Sequence, residues 1–254
     1  SNAKTGHARS PGLAKRESAL TLSRMVHFTL FGIPVYIRPS FWVVLAIFGG
    51  ALSISSVEDL IYPALFVIAG FIAILSHEMG HALVGRRLGG GQQTIVLELF
   101  GGLTSSHGMQ LTRGGRALMI LAGPMMTLLL GIISLWLTWN IVAPVMASHN
   151  LDFWDLAISP FTAALISPKL YILSCLIMIG EWWTLLNLLP IYPLDGGQLI
   201  AQYIRSPRKV FMTGFITAIL IGLLSFQLFH GYFIPIFMAL FAYSNYREYK
   251  NAPF

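Results

Sequence analysis

The stretch from Ser76 to Arg87, SHEMGHALVGRR, places two histidines and a glutamate at the end of a long apolar segment that begins near Leu60. Residues four apart lie on the same face of a helix, so His77 and His81 can present ring nitrogens to one metal ion. Glu78 lies one position along, where it can act as a base on water at that metal without being a ligand. The H-E-x-x-H pattern therefore predicts a site for one Zn²⁺ per chain and hydrolytic chemistry.

A five-residue match of this kind is weak by itself, since it arises by chance in about one chain in two hundred of this composition. A buried histidine is also commonly a hydrogen-bonded packing residue. Ionisable residues inside a membrane, however, are costly and usually functional, and this segment carries three of them within five positions. That cost favours a metal site over a structural histidine pair.

Two histidines leave a tetrahedral zinc ion one protein ligand short. The acidic candidates in or near the other apolar segments are Glu98, Glu181 and Asp195. Asp195 lies in NLLPIYPLDGGQL (187–199), where prolines and glycines must unwind a helix end and the glycines after Asp195 would allow a close approach to the metal. Asp-Gly is also a common turn pair, so this stretch alone is equally consistent with a structural turn. The missing ligand, at a matching predicted depth, favours Asp195.

These residues belong to a chain of 254 residues that is 56% hydrophobic and 10% charged, against roughly a quarter charged in soluble domains. The composition predicts an all-α integral membrane protein. The net charge of +6 comes from basic residues dispersed in short flanks, which argues against a nucleic-acid partner. Apolar runs approaching about 20 residues predict six transmembrane helices, at residues 40–56, 60–84, 116–143, 170–189, 210–229 and 232–246.

The positions of Lys and Arg predict the orientation of these helices. With the N-terminus in the cytosol, every Lys and Arg except Lys169 falls on the cytosolic side, and both termini are cytosolic. The single Cys175 excludes an intramolecular disulfide and leaves no basis for a cysteine-ligated metal site.

The chain is expected to form a single polytopic domain over residues 25–250, followed by cytosolic residues 251–254. Residues 1–24 are polar and basic and are expected to be a flexible cytosolic tail, whose first three residues, SNA, have the sequence of a purification-tag remnant. Between the second and third helices, a β-prone stretch at Thr94–Phe100 is bracketed by glycine pairs. It predicts a short membrane-associated β element that must be shielded from lipid.

HEMGH in the second predicted helix and NLLPIYPLDG far downstream together resemble the site-2 protease family of intramembrane zinc metalloproteases. The likeness covers the chain from about Phe31 onward, in a minimal form without a PDZ or CBS domain. It implies that His77, His81 and Asp195 bind zinc and that Glu78 activates water.

The resemblance also implies a substrate and a location. The substrate would be a membrane protein cleaved within or near a transmembrane segment, such as an anti-sigma factor or a signal-peptide remnant, in regulated intramembrane proteolysis. The location would be a prokaryotic cell (inner) membrane, with the active site toward the cytosol.

The same resemblance assigns residues to substrate binding. Asn187, which precedes the two prolines, would hold the substrate backbone or stabilise the developing oxyanion. The β-prone stretch resembles a family sheet that receives the extended substrate by strand addition; its residues are Ile95, Val96, Leu97, Glu98, Leu99, Phe100, Gly101 and Gly102. One departure is Thr127, which stands where the family often has the asparagine of G-P-x-x-N.

Two other functions are compatible with the sequence. Broken helices at the bilayer midplane also mark transporter and channel sites, although no related halves are detectable in this chain. A catalytically silent scaffold with a retained metal site is the second alternative, and the intact Glu78 argues against it. We further expect Glu181 to pair with a polar side chain such as Thr127, and the first, fifth and sixth helices to be candidates for a gate.

Overall fold

The computed structural model describes residues 25–99, 101–108, 110–149, 157 and 159–253. Helices dominate, and four short strands between residues 26 and 107 form a small sheet. In chain order the elements are β1 (Val26–Leu30), β2 (Ile33–Ile37), α1 (Pro39–Phe48), α2 (Ile61–Gly89), β3 (Gln92–Glu98), β4 (Gly101–His107), α3 (Arg113–His149), α4 (Pro160–Ala164), α5 (Pro168–Asn187), α6 (Asp195–Ala201), α7 (Pro207–Phe229) and α8 (Phe233–Asn251).

Four of these helices are long and apolar enough to cross a membrane, as the composition predicts. They are the segments Ile61–Gly89, Arg113–Ala143, Pro168–Asn187 and Pro207–Leu228. The expected count of six spans is not confirmed. The structure supports a membrane protein with four candidate spans among its described residues.

The two remaining expected spans fall short for different reasons. α1 ends at Phe48 because Gly49 and Gly50 follow, and Gly50 takes a left-handed conformation with φ of 88°. Its ten residues rise about 15 Å, half the thickness of a bilayer core. α8 has 19 residues, but Arg247, Glu248 and Lys250 make its last turns polar.

The helices pack as a central group and a hairpin. α2, α3 and α5 contact one another and form the centre of the bundle. α7 and α8 pack side by side, and the chain reverses at His230, which has a φ of 52°. This is the tight hairpin that the two-residue break at His230–Gly231 predicts.

The sheet has four strands in the order β1-β2-β3-β4, with β1–β2 and β3–β4 antiparallel and β2–β3 parallel. The sequence predicts only the part between the second and third helices and misses the first hairpin. That hairpin turns on two residues with positive φ, Phe31 and Gly32, as a two-residue turn demands. A phenylalanine is an uncommon residue in this conformation, so the turn leaves little trace in the sequence.

One face of this sheet belongs to the protein core. Alternate residues of β2 and β3 point inward and are at most 2% exposed, and they pack against side chains of α1 and α2. The buried sheet residues are Ile33, Val35, Ile37, Ile95 and Leu97. The packing fixes β3 and β4 beside α2, the helix that carries the H-E-x-x-H residues.

Candidate metal centre

The H-E-x-x-H residues lie in the part of α2 that is enclosed by the rest of the molecule. α3, α5 and strands β3 and β4 all pack against this helix. His77, Glu78 and His81 expose only 1%, 5% and 7% of their surface. An unpartnered polar group in such surroundings is costly, so the partners of these three side chains decide what the cluster does.

Two glycines allow α3 to approach α2 beside the motif. A Cβ atom at Gly80 of α2 would collide with the Ala122 carbonyl, and one at Gly123 of α3 would collide with the His81 imidazole. Small residues let helix backbones approach closely inside a membrane. α3 therefore forms one wall of the site, and Gly123 sets the position of the His81 ring. Sequence reasoning gave Gly123 no such role.

Three potential ligand atoms converge in this enclosed space. The Nε2 atom of His77 lies 3.0 Å from Oδ2 of Asp195 and 3.1 Å from Nε2 of His81. The third side of the triangle, from His81 Nε2 to Asp195 Oδ2, is 3.3 Å. Zinc bonds of about 2.0–2.1 Å at tetrahedral angles would separate the ligand atoms by roughly 3.3–3.4 Å. The spacing of the triangle therefore fits a tetrahedral ion.

The hydrogen-bond partner of His81 supports the same interpretation. Its Nδ1 donates a hydrogen bond of 2.9 Å to the Met119 carbonyl, so the neutral ring keeps the lone pair on Nε2. That lone pair points toward the second imidazole and the Asp195 carboxylate. A cation at the centre would satisfy all three electron-rich atoms, and a backbone carbonyl behind a ligand histidine is a common feature of zinc sites. The residues present fit a divalent metal.

The structure distinguishes between the three acidic candidates for the third ligand. Among the described residues, the group able to hold a metal is His77, His81 and Asp195. Glu98 is engaged with Arg38 in an ion pair of 2.9 Å. Glu181 is exposed on α5. Asp195 is 118 residues from His77 in the chain, so only the fold brings the three together.

Glu78 is held by strand β4. The hydroxyl of Thr104 donates to Oε2 of Glu78 at 2.7 Å and lies 3.2 Å from the backbone oxygen of the same residue. Gly102 lies two residues earlier on the same face of the strand, and a Cβ atom there would collide with the Glu78 side chain. Sequence reasoning missed Thr104 entirely. The signal available was a threonine two residues after Gly102, just beyond the β-prone stretch that was predicted to lie near the site.

Asp195 is the first residue of α6 and follows an irregular loop, residues 188–194, which contains a cis Tyr192–Pro193 peptide bond. A Cβ atom on Gly196 would collide with the carbonyl of Leu188, and one on Gly197 would collide with the peptide between Ile191 and Tyr192. These glycines therefore admit the backbone of the 188–194 loop. The expectation that they also allow a close approach to the metal stays a prediction.

Asn187 is the last residue of α5 and is buried. Its Nδ2 donates to the Trp183 carbonyl at 2.9 Å, one turn back on its own helix. A role in holding the substrate or an oxyanion would require this donor to turn away from Trp183. That role stays a prediction.

The residues expected to receive substrate divide between two strands. Ile95 and Leu97 are fully buried in the core. The backbone of β3 pairs with β2 on one side and with β4 on the other, Val96 with Tyr36 and Leu103 for example. Residues 95–97 thus have backbone partners on both sides and offer no free strand edge, whereas β4 is the edge strand on this side of the sheet among the described residues. Contact of some part of residues 95–102 with substrate stays a prediction.

The remaining residues of the expected substrate stretch lie at the start of β4. Leu99 is 42% exposed in the turn between β3 and β4. Phe100 lies outside the described residues. Gly101 packs so tightly against Trp183 that a Cβ atom would lie 2.5 Å from the indole ring. Together with Gly102, these contacts connect the edge strand to α2 and α5.

The expected pair of Glu181 with Thr127 does not form. The Thr127 hydroxyl is buried and lies 2.7 Å from the Thr184 hydroxyl and 3.0 Å from the Pro124 carbonyl. Glu181 is exposed on α5. At the position where the resembled family often has asparagine, this chain therefore uses a threonine to join α3 to α5.

An apolar cavity of about 730 Å³ lies between α1, α5 and the α7–α8 hairpin. Its lining includes residues from each of these elements, and Leu99 and Gly101 at the start of β4 close one part of it. The cavity therefore reaches the strand that contacts Glu78. Representative lining residues are Phe41, Leu45, Met178, Trp182, Leu224 and Met238.

Comparisons with known proteins place these residues in one family. The sequence model of peptidase family M50 matches residues 65–229, which include the two histidines, Glu78 and Asp195. A zinc metalloprotease of Methanocaldococcus jannaschii is 27% identical over 227 residues, 85% of this chain and 57% of that protein. A putative zinc metalloprotease of Synechocystis is 29% identical over 188 residues, 69% of this chain and 43% of that protein. The chain thus spans about half the length of these curated relatives.

The fold also matches a solved structure. A site-2 protease from Methanocaldococcus jannaschii aligns with a TM-score of 0.57 at 23% identity, covering 89% of this chain and 95% of that chain. At this level of identity the likeness concerns the fold alone.

Proposed function

Since the chain belongs to peptidase family M50, we propose that it is an intramembrane zinc endopeptidase that hydrolyses a peptide bond within or near a transmembrane segment of another membrane protein. The observation that most strongly supports this is the convergence of His77, His81 and Asp195 beside a buried Glu78. This cluster, in which a membrane-length helix supplies the two histidines and Glu78, combines a metal triad with a carboxylate outside the triad, which is what metal-assisted hydrolysis uses.

Zinc, when bound by the triad, supplies a Lewis acid that polarises a carbonyl group and acidifies water. Glu78 is the proton carrier of the proposed reaction. Because Thr104 occupies Oε2, the other oxygen, Oε1, accepts the proton of the attacking water and then delivers it to the leaving amine nitrogen. The carboxylate is thereby regenerated at the end of each turnover. His81 keeps its proton on Nδ1, at the Met119 carbonyl, throughout.

The edge of β4 is the proposed docking position for the substrate backbone. A transmembrane helix hides its amides in internal hydrogen bonds, so a scissile bond becomes accessible only after local unwinding. An extended segment added to a free strand edge regains backbone hydrogen bonds in the new position. β4 has such an edge and also contacts Glu78 through Gly102 and Thr104. The apolar cavity supplies a lipid-like environment for the adjoining part of the substrate.

The proposal includes the membrane context. The substrate is a membrane protein in the same bilayer, of the kind exemplified by an anti-sigma factor or a signal-peptide remnant. With the six crossings that the sequence predicts, the distribution of Lys and Arg supports a cytosolic location for both termini and for the end of α2 that carries the site. The proposed location in a prokaryotic cell membrane follows from the family resemblance and not from the composition.

The direct test compares wild type with Glu78→Gln and Asp195→Ala after purification in detergent and reconstitution with a cleavable membrane substrate. We expect about one zinc per chain in wild type and in Glu78→Gln, with cleavage reduced by about 10²-fold or more in Glu78→Gln, because that substitution removes the proton acceptor. Asp195→Ala is expected to lose both zinc and cleavage. Turnover retained by Glu78→Gln would remove Glu78 from its assigned role.

A further inference from the structure

The α7–α8 hairpin packs against the loop that carries the third ligand. Ile191, in the middle of the 188–194 loop, is fully buried in a cluster with Ala218 of α7 and with Met238 and Ala242 of α8. These two helices correspond to the fifth and sixth predicted spans, which are expected to be gate candidates. Their contact with Ile191 shows that both helices pack against the loop that precedes Asp195.

Asn245 of α8 makes a specific polar contact with the same loop. It is 1% exposed, and its Nδ2 donates to the Tyr192 carbonyl at 2.7 Å and to the Phe241 carbonyl at 2.9 Å. Both acceptors are carbonyl oxygens, so the amide orientation is determined by its partners. The Tyr192 carbonyl lies three residues before Asp195. Asn245 therefore connects the last helix to the backbone that precedes the ligand.

The position of Asn245 is shaped by Gly214 on the neighbouring helix. A Cβ atom at Gly214 would collide with Oδ1 of Asn245 and would lie 3.3 Å from Cα of Ile191. The same Oδ1 is buried and has no hydrogen-bond partner among the described residues. An apolar side chain of similar size would fill this space without an unsatisfied acceptor. The hydrogen bond that Asn245 Nδ2 donates to the Tyr192 carbonyl is thus the feature that an asparagine adds here.

We propose that Asn245 is a positioning residue for the metal centre, acting through the Tyr192 carbonyl to hold the 188–194 loop and with it the Asp195 carboxylate. The inference rests on the proposed function, since it assumes that Asp195 is a zinc ligand. The α7–α8 hairpin would therefore contribute to the affinity of the site for zinc. A shift of α8 relative to the bundle would move Asp195 and leave His77 and His81 on α2 in place.

The test measures metal binding by the full chain in detergent micelles, independently of cleavage. The protein is stripped of metal and titrated with Zn²⁺ against a chromophoric chelator, and separately with Co²⁺ while its visible absorption spectrum is recorded. Asn245→Leu keeps the branched shape of the side chain and removes the donor. We expect it to weaken zinc binding about tenfold, as loss of an outer-shell partner typically does, and to change the cobalt spectrum because one ligand is displaced.

A second variant tests the same contact with Asn245 intact. Gly214→Ala should stabilise α7 by helix propensity, yet it is expected to weaken zinc binding because the new methyl group displaces the Asn245 amide. Gly222→Ala in the same helix is the matched control, since its Cβ would lie 3.3 Å from Cβ of Met238 and 3.9 Å from the Pro235 backbone. The control is expected to keep wild-type affinity.

The outcomes separate the inference from the proposed function. Wild-type zinc affinity and an unchanged cobalt spectrum in Asn245→Leu would overturn the positioning role while leaving the protease proposal intact. If Asn245→Leu does not fold, Gly214→Ala decides, and wild-type affinity there overturns the role equally. A wild-type protein that binds no zinc would overturn both. Weaker binding in both variants, with the control unchanged, supports the inference.

Discussion

Glu78 depends on residues of a strand for its position. Its carboxylate is buried beside the two histidines, and the only side chain that the structure shows donating to it, among the described residues, is Thr104 of β4. Gly102 leaves room for the same side chain. A buried carboxylate without a donor would be free to rotate toward the histidine nitrogens. In the proposed mechanism the hydroxyl therefore keeps Glu78 available as a base.

Replacement of Thr104 tests this dependence. Thr104→Val keeps the shape and removes the donor, and we expect kcat to fall by about tenfold or more, since a hydrogen bond to a charged group contributes about 1.5–3 kcal/mol. KM and zinc content should stay close to wild type. Steady-state cleavage of a reconstituted membrane substrate, with metal analysis of the same samples, provides the measurement.

Thr104→Ser is the matched control, because it restores a hydroxyl at the same position. It should recover most of the lost kcat. Equal rates for the valine variant and wild type would show that Glu78 is positioned without Thr104.

At the level of elements, the site is built where α2, α3, α6 and β4 meet. α2 supplies the histidines and Glu78, and α6 supplies Asp195. α3 contributes the Met119 carbonyl and, through Gly123, the space for the His81 ring. Because different elements hold different side chains of the cluster, a change in the position of one helix is expected to displace one potential ligand selectively.

The crossing of α2 and α3 can be tested at Gly123. Gly123→Ala places a methyl group against the His81 imidazole, and we expect this overpacking to displace the ring and to lower zinc content. Metal analysis of the purified variant, together with its thermal unfolding temperature in the absence of zinc, is the measurement.

Gly131→Ala provides the comparison on the same helix. No atom lies within 4 Å of a Cβ placed there, so this variant should keep wild-type zinc content. A Gly123→Ala protein with full zinc content would contradict the role given to this crossing.

At the scale of the whole molecule, four helices have the length and composition of membrane spans, and the proposed orientation places the site toward one side. α5 begins at Pro168 on the side expected to be outside and ends at Asn187, close to the 188–194 loop on the expected cytosolic side. α7 begins at Pro207 on that same side. The apolar cavity between α1, α5 and the α7–α8 hairpin lies within this arrangement and extends to β4.

Cysteine labelling tests the orientation, since the single native cysteine, Cys175, is buried and can be replaced by serine. In that background we expect Ile166→Cys to react with a membrane-impermeant thiol reagent in intact cells. Tyr203→Cys should react only after permeabilisation. Both positions are exposed in the structure, at 47% and 64%. Labelling of Tyr203→Cys in intact cells would reverse the proposed topology.

Much of the local chemistry is readable from the sequence because it depends on short-range geometry. The spacing of His77 and His81 places both nitrogens on one helical face whatever surrounds the helix. Hydropathy likewise identifies the four long apolar helices, and the prolines and glycines of residues 190–197 locate the break before Asp195. The length of α1 was harder to predict from the sequence, because its end depends on the backbone conformation of Gly50.

By itself, then, the sequence determined a membrane protein with a histidine pair, an adjacent glutamate and a predicted zinc site that lacked its third protein ligand. The tertiary structure decided which acid completes the triad, because Asp195 reaches the histidines across 118 positions while Glu98 is paired with Arg38. It also decided that Thr104 holds Glu78 and that β4, rather than β3, has the free edge. These contacts join residues far apart in the chain, and side-chain spacing along one element carries no information about them.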